Sequence, residues 1–332
     1  MQGGALVRAA RRLPRAVGRV RLAIGVVAAS LVVLLGPSTD KAAAQAPAAA
    51  APVNNVSANL NISPKRVTFD RADHSATVYI FNQGNGPGTF DITLIDRVML
   101  PDGEILPLSE AQARPELKAY VDGLKSAQSM LVVTPRRVTL GAGKGQTIRI
   151  RAAASVAGAA GTPMPGEYRT HLTVATIPPR DAGLTAEQAA ATGPQQLSFQ
   201  INSVFGLSIP VILRVGPPDV RATIEGAKLT TENVSSDGVA PPRPASMLRF
   251  KLVRGGPNSL FGNIEVRGSK DKAGADPLAA VRGLGVYTEI DHRDIQMVLK
   301  RAPLPGEQLE ISFKDDDTAP GRLVAKAVIS TQ

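Results

Sequence analysis

The side chains that most often carry covalent or metal chemistry are sparse in this chain. Cysteine is absent, and the three histidines, His74, His171 and His292, lie far apart with no partner at metal-ligand spacing. A thiol nucleophile is therefore impossible, and no G-x-S-x-G elbow exposes a serine. Gly141–Thr147, GAGKGQT, has the glycines and the lysine of a phosphate-binding loop. It fails at Gly145, where serine or threonine must follow Lys144, and no helical pattern comes next, so it reads as a hairpin loop. Asp315, Asp316 and Asp317 lack the alternate spacing of a calcium loop and read as a solvated acidic turn. The expectation is a non-enzyme: no catalytic residues, no metal and no cofactor.

Binding is the chemistry left, and Gln195–Val215, QQLSFQINSVFGLSIPVILRV, invites it. Apolar side chains recur at Leu197, Phe199, Ile201, Phe205, Leu207, Ile209, Val211 and Leu213, a period of two broken at Ser203. Period two places these side chains on one face of a β-strand. Gly216-Pro217-Pro218 stops it. Such a strand is far longer than the usual about 5–6 residues. It either spans two structural units or offers part of its edge to another chain.

The elements around it are short Val/Ile/Thr/Leu runs between Gly/Pro turns, an all-β signature. Leu60–Phe69, Ser75–Asn82, Phe90–Val98, Leu131–Leu140, Thr147–Ala152 and Gly166–Ile177 read as strands. Together with the long strand they suit an immunoglobulin-like sandwich. Ser109–Gln128 instead has helical spacing at Ala111, Leu117, Tyr120, Val121 and Leu124, with Ser109 and Gln112 placed as a capping box. It reads as a short helical insertion. Leu248–Val253, Gly262–Arg267, Leu284–Ile290, Gln296–Leu299, Glu307–Phe313 and Arg322–Ile329 predict a second β-sandwich. SPKRVTF at 63–69 and TPRRVTL at 134–140 look alike and read as two similar strands of one sandwich.

The net charge of +10 would suggest a nucleic-acid partner, but residues 1–44 hold Arg8, Arg11, Arg12, Arg15, Arg19, Arg21 and Lys41 against Asp40, a surplus of +6, leaving +4 for the rest. No nucleic-acid partner is expected. The arginines precede an uncharged run, Leu22–Gly36, and small residues follow. This is the pattern of a secretory signal peptide, with cleavage placed near Ala44/Gln45. Left uncleaved, the same run would be a membrane anchor, although it is shorter than the about 20 residues of a span. The signal reading predicts no stable membrane insertion. Residues 45–57, rich in Ala and Pro, read as a disordered linker. The division is then a signal at 1–44, the linker at 45–57, a first domain at 58–215 and a second at 216–332.

Taken in order, ISPKRVTFD, the N-x-x-x-x-P of Asn82–Pro87, TPRRVTLGAGKGQTIRIR, GEYRTHLTVATIPP and the long strand ending in IPVILR resemble the PapD-like periplasmic pilus-assembly chaperones. The match covers about residues 60–215 well and 216–332 loosely. The resemblance implies two immunoglobulin-like domains and a periplasmic location. It implies binding of pilus or fimbrial subunits by donor-strand complementation, a form of β-augmentation, and delivery to an outer-membrane usher. Phe199, Ile201, Ser203 and Phe205 fall at the donor positions, with Ser203 where an apolar residue is the pattern. Arg66 falls at the family's anchor for the subunit's terminal carboxylate, while its partner lysine position is Pro210. Glu167, Arg214 and one of Asp315–Asp317, taken as Asp316, fall at an interdomain ionic cluster. A PapD-like structural or adhesion protein of the cell surface, with no usher, is the alternative.

Overall fold

The computed structural model describes residues 59–69, 75–153, 164–178, 204–235, 241–272 and 274–331. All of these belong to one compact unit, Asn54–Gln332. The expected signal and linker, and the donor residues Phe199, Ile201 and Ser203, lie outside the described residues.

The first sandwich contains β1 (Leu60–Ser63), β2 (Val67–Phe69), β3 (Ser75–Asn82), β4 (Gly88–Ile95), β5 (Arg97–Met99), β6 (Ile105–Pro107), helices α1 (Leu108–Gln112) and α2 (Lys118–Gly123), β7 (Leu131–Thr134), β8 (Arg137–Leu140), β9 (Gly145–Ala152), β10 (Gly166–Ile177) and β11 (Gly206–Val215). Its sheets run β1-β3-β9-β7 and β2-β11-β10-β4-β8. That is the immunoglobulin arrangement of A-B-E-D against G-F-C. Ile62, Val78, Ile80, Ile148 and Ile150 from one sheet meet Phe69, Phe90, Ile92, Leu172, Val174 and Val211 from the other in a dry core.

Two expected single strands each divide in two. β1 pairs with β3 but β2 pairs with β11, in parallel; β7 pairs with β9 but β8 pairs with β4. In both, the change of sheet falls at a proline, Pro64 or Pro135, which has no N–H for the ladder. Both preceding peptide bonds are cis. The two look-alike heptapeptides therefore do the same job at two places. Buried Asn82 ties the turns nearby: its Nδ2 donates to the carbonyls of Gly86 (2.8 Å) and Leu140 (3.2 Å).

The helical insertion is two short helices with a 3₁₀ turn, Pro115–Leu117, between them. Pro115 disfavours α geometry at Arg114 and ends the first helix. The expected capping box is not formed, because Pro107 occupies the N-cap and no side chain caps the helix. Val98, Leu106, Ala111 and Leu117 form a small core of their own, and Tyr120 packs both on it and on the second domain's core.

The second sandwich contains β12 (Ala222–Val234), β13 (Arg243–Arg254), β14 (Leu260–Gly268), β15 (Ala279–Val286), β16 (His292–Val298), β17 (Gln308–Asp315) and β18 (Leu323–Ser330). Its sheets are β12-β13-β16 and β15-β14-β17-β18. Strand β12 was not expected. A bulge between Glu225 and Lys228, with Gly226 at φ 63°, shifts its register, so Ala222 and Ile224 are out of phase with Ala227 and Leu229 and no single alternation survives.

Candidate functional site

Strand β10 carries Glu167, Arg169, His171 and Thr173 on the face away from the first core, while Leu172 and Val174 point into it. Pairing sets Glu167 opposite Arg214, Arg169 opposite Ile212 and His171 opposite Pro210. A strand face made of such residues must be covered by something able to pair them, and the second sandwich does this.

The first junction is ionic. Arg214 Nε donates to Glu167 Oε2 at 3.0 Å and its Nη2 to Asp317 Oδ2 at 2.6 Å. Arg66 Nη2 donates to the same Asp317 oxygen at 2.8 Å, and its guanidinium lies 4.5 Å from the centre of the Phe261 ring. Ser259 N–H also donates to Glu167 Oε2, at 3.2 Å. Burial works against the charge on Asp317, but Arg66 and Arg214 outweigh it and hold its carboxyl below the usual range. Burial likewise opposes the charge on Arg214, and Glu167 and Asp317 overcome it, raising its pKa. Asp317 is presented by its own turn: buried Asp315 accepts from the N–H groups of Asp317 (3.2 Å) and Ala319 (2.7 Å). Asp316 points outward and is exposed. The third acid of the cluster is therefore Asp317, a correction to the expectation of Asp316.

A second junction had no counterpart in the sequence reading. Arg169 and Glu289 form a bidentate pair, Nη2–Oε1 2.6 Å and Nη1–Oε2 3.1 Å. Their side chains are 2% and 0% exposed. Strand β5 closes the pair from outside: Met99 N–H donates to Glu289 Oε1 at 2.7 Å, and Arg97 C=O accepts from Arg169 Nη2 at 2.6 Å. The Arg169 guanidinium stacks 3.8 Å from the centre of the Tyr287 ring, and His171 meets that ring edge-on at 6.3 Å. The available signal was E-x-R-x-H in Gly166–Ile177, polar groups at every second position of an otherwise apolar strand.

The third feature is an edge. On one side β11 pairs with β10 along its whole length, Gly206 to Val215. On the other, β2 covers only Val211–Leu213. Among the described residues no strand covers that side of Gly206–Pro210. The alternating stripe emerges from the core along it: Val211 and Ile209 are buried, Leu207 is half-buried and Phe205 is 60% exposed.

No family model matches the chain, and no curated protein sequence matches it. Among solved structures it is similar to the YadV chaperone, at 14% identity over 82% of this chain and 99% of that chain with a TM-score of 0.37. It is similar to the E. coli chaperone DraB at 14% identity, covering 83% and 96%, TM-score 0.37. It is also similar to structures of the Salmonella enterica SafB chaperone in complex with the SafA pilin, at 14% identity, covering 82% and 97%, TM-score 0.37. In this chain Glu167, Arg214 and Arg66 meet in one cluster with Asp317. Phe205 stands at the start of the free edge, and Pro210 stands beside His171. Arg66 is engaged by Asp317 through Nη2, while its Nε and Nη1 are buried with no hydrogen-bond partner among the described residues.

His171 is buried, and among the described residues neither ring nitrogen has a hydrogen-bond partner. Burial, reinforced by the charges of Arg169, Arg97 and Arg66, pushes its pKa down to about 2. The unfolded chain takes a proton there below about pH 6.5 and the folded chain does not. This residue's contribution to stability is therefore whole above that pH and falls as the pH drops toward 2. His171→Phe is expected to flatten the loss of stability between pH 6.5 and 4, measured as urea midpoints. An unchanged slope would show that the ring titrates freely in the folded protein.

Proposed function

We propose that this chain is a periplasmic chaperone for pilus or fimbrial subunits, acting by donor-strand complementation and passing its clients to an outer-membrane usher. In this reading residues 1–44 export the chain and are removed, 45–57 are a disordered linker, 58–215 carry the donor edge and 216–332 complete the cleft. The observation that carries the reading is the half-covered β11. Among the described residues no strand pairs with its outer backbone groups over Gly206–Pro210, and an apolar stripe runs along it from the core to exposed Phe205. Unpaired strand edges recruit strands, and side chains at every second position fill the grooves of an incomplete sandwich. Phe199, Ile201 and Ser203 would continue the stripe outward. Arg66 would receive the client's terminal carboxylate.

One observation favours the second reading, a PapD-like surface protein without an usher. Arg66 already shares Asp317 with Arg214, and Pro210 offers no second cation. Co-expression with a pilus subunit separates the readings. The subunit is expected to co-purify with the wild-type chain, and Phe205→Asp and Arg66→Gln are each expected to reduce the yield about tenfold. Phe205 is exposed, so its variant should fold normally. Undiminished co-purification in both variants would sink the donor-strand mechanism. Absence of any complex would favour the surface protein.

A further inference from the structure

The outer face of the sheet β1-β3-β9-β7 has a composition unlike the rest of the surface. Asn61 and Ser63 of β1, Ser75, Thr77, Tyr79 and Phe81 of β3, Thr147, Arg149 and Arg151 of β9, and Val132 and Thr134 of β7 alternate with the inward core residues. These strands contain no aspartate or glutamate. The Tyr79 and Phe81 rings are near-parallel, 23° apart with centroids 6.4 Å apart, and Tyr79 is 48% exposed. The Tyr79 ring crosses the neighbouring strand over Gly145, where a Cβ would lie 2.1 Å from its hydroxyl. The ring is thus laid along the sheet rather than raised from it. Pairing sets Arg149 beside Thr77 and Thr134, and Arg151 beside Ser75 and Val132. Neither arginine has a carboxylate partner among the described residues, whereas Arg137 on the other sheet is held by both oxygens of Asp91. From the Phe81 row to the Ser75 row the face runs about 20 Å at the usual rise per strand residue.

We propose that this face binds an extended acidic polysaccharide, a uronate-containing glycan lying along the strands. The apolar side of a sugar ring packs flat on an exposed aromatic ring, and the Tyr79–Phe81 strip offers that surface at one end. Guanidinium groups pair with carboxylates in a planar, two-point fashion, and Arg149 and Arg151 present two of them at the other end. The hydroxyls of Ser63, Thr77, Thr134 and Thr147 lie between, suited to a polyhydroxylated ligand. The face is flat, which suits a polymer reading many weak contacts rather than a small molecule needing a cleft. This site lies on the sheet that does not contain β11 and does not rest on the chaperone reading.

The experiment uses the full chain and defined probes: alginate, dextran, polyglutamate and single-stranded oligodeoxythymidine, compared by isothermal titration at about physiological salt. Alginate is expected to bind, dextran and polyglutamate not to. Tyr79→Ala is expected to weaken alginate binding about tenfold, and Arg149→Gln/Arg151→Gln to abolish it. All three side chains are exposed, and unchanged circular dichroism would confirm that the variants fold. No binding to alginate overturns the proposal. So does alginate binding indifferent to Tyr79→Ala, or polyglutamate binding as tightly as alginate, which would make the face a charge patch only. Preferential binding of the oligonucleotide, lost in the same variants, overturns it in favour of a nucleic-acid platform.

Discussion

Arg214→Met lowers the free energy of unfolding by about 3–5 kcal/mol, the cost typical of breaking a buried ion pair from one side. The size follows from what is stranded. Glu167 is 2% exposed and loses its one cation among the described residues, keeping the Ser259 N–H and the distant Asn258 amide. Asp317 keeps Arg66. The double change Glu167→Leu/Arg214→Met is expected to be milder than the single one, because it removes the stranded charge along with its partner. The pH dependence has a definite sign. The carboxyl of Asp317 is held low in the folded protein, so its contribution is present above about pH 4 and lost as the pH falls through the folded value. With Arg214 gone, acid unfolding should begin at higher pH. Urea midpoints of the three proteins at pH 7 and pH 4 test this, and an Arg214→Met midpoint equal to wild type would remove the cluster from the list of structural supports.

How much of this was legible differs by residue, for physical reasons. Glu167 and Arg214 sit at opposite ends of two long strands, and an antiparallel register that pairs GEYR with ILR brings them face to face. Their meeting followed from the family resemblance, and the register supplies its physical reason. The choice among Asp315, Asp316 and Asp317 did not, because it depends on a turn in which one aspartate spends its carboxylate on backbone N–H groups so that another can face the arginines. Strand switching at Pro64 and Pro135 was visible as two similar heptapeptides but not as a change of sheet, since a proline marks where a ladder is interrupted and not where it resumes. β12 was hidden by a one-residue change of phase. The role of the insertion was the least legible. Its apolar periodicity shows that it packs, while Glu289, against which Gly123 lies, is more than 150 residues away in sequence.

That role gives the second large effect. Glu289→Leu is expected to destabilise by about 3–5 kcal/mol, because it leaves the Arg169 guanidinium buried and the Met99 N–H without its acceptor. Tyr287 softens the loss without removing it, since a cation over an aromatic face contributes about 1–2 kcal/mol. Arg169→Met alone should cost a similar amount, and the double variant less than the sum, so that a double-mutant cycle returns a coupling of about 2 kcal/mol or more. The insertion supplies the discriminating variant. Gly123 has its Cα against the backbone of Glu289, where a Cβ would come within 3.2 Å of the Glu289 Cα. Gly123→Val should therefore push the insertion off the junction while leaving both charged residues in place. If Glu289 is held only by Arg169, Gly123→Val will be nearly neutral. If the insertion, which packs on Val98 of β5, helps hold the β5 backbone that bonds Glu289 and Arg169, Gly123→Val will lower the urea midpoint and reduce the Arg169–Glu289 coupling measured in its background. The second outcome would mean that the way the second sandwich docks on β10 depends on a segment inserted into the first.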